Sequence, residues 1–187
     1  MEEFGYLSIL ISIALGLAQA KLLNGVAALI RARDRTKIYW PALAWMALLF
    51  LVTVQMWWQM FSLRSVVHWH FGAFLVVMTQ PVLLFLLTAI IVPNIVDGSP
   101  IDLRASFFRE RRWFFGVQIG LVCVSALKDI ALYGLVPRGA VLAAHTSYLI
   151  LAACAFSISS ERFQKVFVLA ALAIDIGYIV SLLLTLA

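Results

Sequence analysis

Four ionisable residues stand in the middle of long apolar runs: Lys21, Lys128, Asp129 and Asp175. A charge at the centre of a bilayer costs at least ~2.5–3.5 kcal/mol on insertion scales. Such groups therefore need partners, water or a task. The chemistry open to them is ion pairing, a proton or ion relay, or neutralising a charged solute. Gln19, Asn24, Gln80, Gln118 and His145 accompany them and add hydrogen-bonding capacity.

At ~1.5 Å of rise per helical residue, Lys21, Gln80 and Asp175 each lie about 15 Å from a membrane border. Three polar groups from the first, third and sixth helices thus share the midplane. A Lys21–Asp175 ion pair with Gln80 nearby is the expected neutralisation, acting as a gate or relay or simply locking helices. Lys128, Asp129 and His145 sit nearer the outer border and form a second expected cluster, with Gln55 and Gln59 at its edge. The alternative for Lys128 is to snorkel to the interface.

Other chemistry is poorly provided for. His68-Trp69-His70 places its two imidazoles at i,i+2, on different helical faces, so no metal or haem site is expected with His145. Cys123 and Cys154 have neither disulfide nor metal spacing and read as small buried hydrophobes. No nucleotide loop, H-E-x-x-H or G-x-S-x-G is present, and the expectation is a protein that is not an enzyme and needs no cofactor.

The elements that position these groups follow from composition. The 187 residues are 64% hydrophobic and 12% charged, with a mean hydropathy of +1.03. Soluble domains run near 45–50% apolar and about 25% charged, so a membrane protein is expected. Six stretches reach the ~20 apolar residues that cross a bilayer: about Phe4–Ile30, Ile38–Phe61, His70–Val92, Trp113–Leu135, Gly139–Ile158 and Val166–Leu186. No alternating ten-residue segments point to a barrel. The fold class is an all-α bundle of six transmembrane helices in one domain, residues 1–187. Ala18-Gln19-Ala20 looks like a cleavage site, but the start is acidic and the apolar run continues to Ile30, so the first helix is read as retained.

Orientation follows the positive charges. Odd connections carry Arg31, Arg33, Arg35 and Lys37, then Arg104, Arg109, Arg111 and Arg112, then Arg162 and Lys165; even ones carry only Arg64 and Arg138. Odd loops are therefore expected in the cytoplasm and both termini outside. Tyr39-Trp40 and Trp57-Trp58 lie about 27 Å apart along the second helix, as interfacial anchors do.

The third connection is the longest. Asn94, Asp97 and Gly98 are turn residues, and Ser99-Pro100 reads as a cap followed by a first-turn proline. Ile101, Ala105 and Phe108 then recur at helical spacing, predicting a short interfacial helix before the fourth span. Its Arg104, Arg109, Arg111 and Arg112 are candidates for anionic lipid head groups, at ~1 kcal/mol per charge. The net charge of +5 requires no nucleic-acid partner.

On the first helix Ser8, Ser12, Gly16 and Gln19 share one side, and Ala14, Ala18, Lys21, Gly25 and Ala28 nearly the opposite one. Small residues permit close helix approach in lipid. Two such faces imply contacts on both sides, within the bundle or with another subunit, so a homo-oligomer or a subunit of a membrane complex is expected. Gln118, Ser125 and Asp129 form a polar stripe on the fourth helix. Dividing the chain after the third helix yields halves of opposite orientation, an arrangement used by transporters, without residue-level correspondence.

Leu15-Gly16-Leu17, Leu22-Leu23-Asn24-Gly25, Tyr39-Trp40-Pro41 and Gln55-Met56-Trp57-Trp58 together resemble small polytopic inner-membrane proteins of bacteria. The resemblance covers about residues 7–61, implies a bacterial cytoplasmic membrane and implies no activity. Two functions from different classes remain: conduction or transport of protons, ions or a small charged solute, and a non-catalytic subunit or scaffold whose polar residues lock packing and assembly.

Overall fold

The computed structural model describes residues 3–66, 69–94, 99–134, 136 and 138–186. His68, Asp97 and Gly98, singled out above, lie outside the described residues. The described residues form six α-helices: α1 (Glu3–Arg31), α2 (Trp40–Gln59), α3 (Phe71–Ile91), α4 (Leu103–Tyr133), α5 (Gly139–Ser157) and α6 (Glu161–Leu186). Five of them, all but α5, are long and apolar enough to cross a membrane, which is the construction of an integral membrane protein. α5 offers a shorter apolar stretch, His145–Ser157.

Local chemistry explains most boundaries. Pro41 sits in the first turn of α2, where its missing N–H costs nothing. The His70 Nδ1 accepts from the Ala73 N–H at 3.1 Å and caps α3, a structural use of that imidazole. Gly134, at φ 63°, closes α4 with a left-handed residue.

The interfacial helix expected before the fourth span does not exist as a separate element. Residues Ile101–Asp102 form a short strand, β2, paired in parallel with β1 (Thr36–Lys37). The cap is Asp102, whose side chain accepts from Ala105 N–H at 2.8 Å, and not Ser99. With no glycine or proline between Leu103 and Trp113, the helix runs unbroken into the span. Strand pairing holds Ile101 extended, so the helix begins three residues past the point that Ser99-Pro100 advertised.

α1 packs on α3 and α2, α3 on α4, α4 on α5, and α2 on α6. The buried residues Ile11, Leu15, Ala18, Leu22, Gly25 and Leu29 recur at three- and four-residue steps and define the inner face of α1. At Gly25 the approach is tight: an added Cβ would run into the Val92 side chain. The odd connections meet at one end of the bundle, where β1 pairs with β2 and Arg104 bonds Glu161 at 2.8 Å. Just inside that end, Trp45 is fully buried, with Phe114, Phe115 and Phe167 edge-on about it at centroid distances of 5.4, 5.7 and 5.4 Å.

Candidate binding cavity

A cavity of about 330 Å³ lies among α2, α3, α4, α5 and α6. Each helix sends in a polar side chain: Gln55 from α2, Gln80 from α3, Gln118 and Ser125 from α4, His145 and Tyr148 from α5, and Asp175 and Tyr178 from α6. Leu48, Leu49, Val52, Leu121 and Val122 supply much of the remaining wall.

The position of the cavity follows from helix registers. Trp45 lies one turn before Leu48 and Leu49, Phe115 one turn before Gln118, and Phe167 one turn before Ala171, all four of the later positions lining the wall. The aromatic cluster is therefore the floor, towards the end where the odd connections gather. At the opposite end Gln59 and Tyr178 are exposed and joined by a Gln59 Nε2 to Tyr178 hydroxyl bond of 3.2 Å. They mark the rim of a one-sided recess.

Asp175 is 9% exposed. Its Oδ1 accepts from Gln55 Nε2 at 2.8 Å, and its Oδ2 has no partner. Gln118, also buried, leaves its Oε1 without a partner. His145 Nε2 stands 3.3 Å from Ser125 Oγ. Among the described residues, no lysine or arginine lines the cavity. Among the described residues, no group of three or more His, Cys, Asp and Glu side chains is arranged to hold a metal ion.

The polar residues named from sequence divide sharply. Asp175, Gln80, Gln118 and His145 come together here, whereas Lys21 and Asn24 lie exposed on the outward surface of α1. No ion pair joins Lys21 to Asp175 among the described residues. The reason is azimuthal: the Leu15–Leu22–Leu29 face turns inward, leaving Lys21 outside, while α6 packs on α2. Gln19 is half-buried with its Oε1 unpartnered. Lys128 and Asp129, adjacent in sequence, approach each other at 3.8 Å. Lys128 also lines a small void of about 30 Å³, shared with Gln59 and Gln80, next to the main cavity.

The four arginines of the third connection do not act alike. Arg111 is 4% exposed and donates to the Ala155 and Ile158 carbonyls and, at 3.0 Å, to Ser159 Oγ. A guanidinium thus satisfies the orphan carbonyls at the end of α5, where a cation also suits the helix dipole. Gln164 Nε2 shares those carbonyls at 3.2 and 2.9 Å. Arg104, Arg109 and Arg112 are exposed; Arg104 pairs with Glu161 and Arg109 with Glu110 at 2.8 Å. Cys123 is exposed on α4 and not buried, because its position faces away from the packed neighbours; Cys154 is half-buried.

Sequence reasoning did not single out Tyr148 and Tyr178. The i,i+3 spacing of Asp175 and Tyr178 was the available signal for the second; nothing local marks the first. The Arg111–Gln164 clamp was likewise invisible: Arg111 reads as a head-group candidate, and nothing local marks Gln164. Comparisons of the chain with family models, curated proteins and solved structures give no match.

Proposed function

We propose that this integral membrane protein transports a small charged solute, an ion or protons, using the Asp175 cavity as its binding site. The observation that carries the reading is the unpartnered Oδ2 of Asp175 in a polar-lined recess open towards one end and floored by the Trp45 cluster. A buried carboxylate with half its hydrogen-bonding capacity free is an expensive feature in an apolar bundle. A ligand that donates to it offsets that cost, and parting of the floor would release the ligand to the other side.

The topology that accompanies this reading has six spans, both termini and the even connections outside, and odd connections in the cytoplasm of a bacterial inner membrane. The positive charge of the odd connections supports it, as does their meeting at one end of the bundle. Arg104, Arg109 and Arg112 are then placed for anionic head groups, with Arg111 withdrawn to the α5 terminus.

Flux into proteoliposomes tests the proposal. Wild type should conduct above empty vesicles, Asp175→Asn should not, and Lys21→Met should retain flux because Lys21 is outside the cavity. Equal flux in wild type, Asp175→Asn and empty vesicles would refute it.

One observation favours a second reading, the scaffold or complex subunit. Lys21 and Asn24 face outward in mid-helix, where a partner subunit would shield them from lipid. Under that reading the purified protein is a stable oligomer, Lys21→Leu dissociates it, and no flux is seen.

A further inference from the structure

We infer that the ligand class of the cavity is a small protonated organic amine with Asp175 as its counter-ion. This deepens the transport proposal and rests on it for the route across the membrane, though the binding chemistry stands on its own observations.

The unmet groups select the ligand. A carboxylate oxygen is an acceptor, so Asp175 Oδ2 calls for a donor, and its charge calls for a cation. Gln118 adds a second acceptor, the carbonyl end of its amide. Among the described residues, anions find no lysine or arginine in the wall to neutralise them. His145 also faces the cavity, and its ring is engaged with Ser125.

Size and polarity exclude a bare ion. A space of about 330 Å³ is at the lower end of small-molecule sites and would hold about ten waters. A dehydrated ion would leave most of it empty, and the apolar part of the wall would offer it no ligands. The leucine and valine wall instead suits an apolar body. Tyr148 and Tyr178 supply aromatic rings, which attract cations. A quaternary ammonium has no N–H to give Oδ2. A primary or secondary ammonium with a compact hydrocarbon portion meets every requirement.

Isothermal titration of the purified full-length protein in nanodiscs, with empty nanodiscs as blank, tests this with benzylammonium, benzoate and benzyl alcohol as probes. Saturable binding of benzylammonium alone is expected, weakened tenfold or more in Asp175→Asn and kept within a few-fold in Asp175→Glu. Val122→Phe, which narrows the cavity while leaving the carboxylate in the sequence, should also abolish it; this covers the case in which Asp175→Asn fails to fold. Benzoate or benzyl alcohol binding as tightly as the amine, or amine affinity unchanged in both Asp175→Asn and Val122→Phe, would overturn the inference. Amine binding without flux in vesicles would refute transport and leave the ligand class standing. Asp175-dependent proton or sodium flux without amine binding would do the reverse.

Discussion

Gln55 Nε2 donates to Asp175 Oδ1 at 2.8 Å, joining α2 to α6 across 120 positions of sequence. This bond fixes one carboxylate oxygen and leaves the other for a ligand. Replacing Gln55 by leucine strips Asp175 of its only hydrogen bond among the described residues. An unmet buried polar group costs about 1–3 kcal/mol. Gln55→Leu should therefore lower the melting temperature and reduce flux without abolishing it, whereas Asp175→Asn abolishes it. Full flux in Gln55→Leu would show that the carboxylate does not need this orientation.

The floor is the next testable element. Trp45 is fully enclosed by Phe114, Phe115 and Phe167, so truncation leaves a cavity worth about 3–5 kcal/mol in stability. Trp45→Ala should also connect the recess to the opposite end and raise passive leak of small ions in proteoliposomes. Trp45→Phe should lose less stability and remain tight. A stable, non-leaking Trp45→Ala would mean that the seal lies elsewhere.

Arg111 anchors the end of α5 through three acceptors. Hydrogen bonds to a charged donor contribute about 1.5–3 kcal/mol each. Arg111→Met should destabilise the protein strongly in a thermal melt, and Arg111→Lys should recover only part, because an ammonium lacks the planar fork. Arg112→Met, at an exposed neighbour, should leave the melt within about 0.5 kcal/mol of wild type.

The α1–α3 contact offers a paired test. Gly25→Ala drives a methyl into Val92 and should cost about 1–3 kcal/mol. Gly16→Ala meets nothing within 4 Å and should be neutral or slightly stabilising. Equal melting temperatures for the two variants would contradict the packing described between these helices.

Hydropathy located the helices well because burial of apolar side chains and internal hydrogen bonding dominate in lipid. α2 and α3 begin and end within two residues of the stretches read from sequence. The start of α4 was harder. Ser99-Pro100 and Asp102 are both sound caps, and what chose between them was strand pairing with Thr36, a contact distant in sequence. The site shows the same division. Depth along a helix is readable from a 1.5 Å rise, and Gln80 and Asp175, expected at similar depth, line one cavity. Azimuth relative to other helices is not, and Lys21, at the same depth, points outward. Gln55 was assigned to an outer cluster although its partner is Asp175, because only tertiary packing brings α2 against α6.

The most direct test of the account is proteoliposome flux compared between wild type and Asp175→Asn reconstituted at equal protein content. The account predicts flux above empty vesicles for wild type and background flux for Asp175→Asn. Identical flux in the two proteins would contradict it.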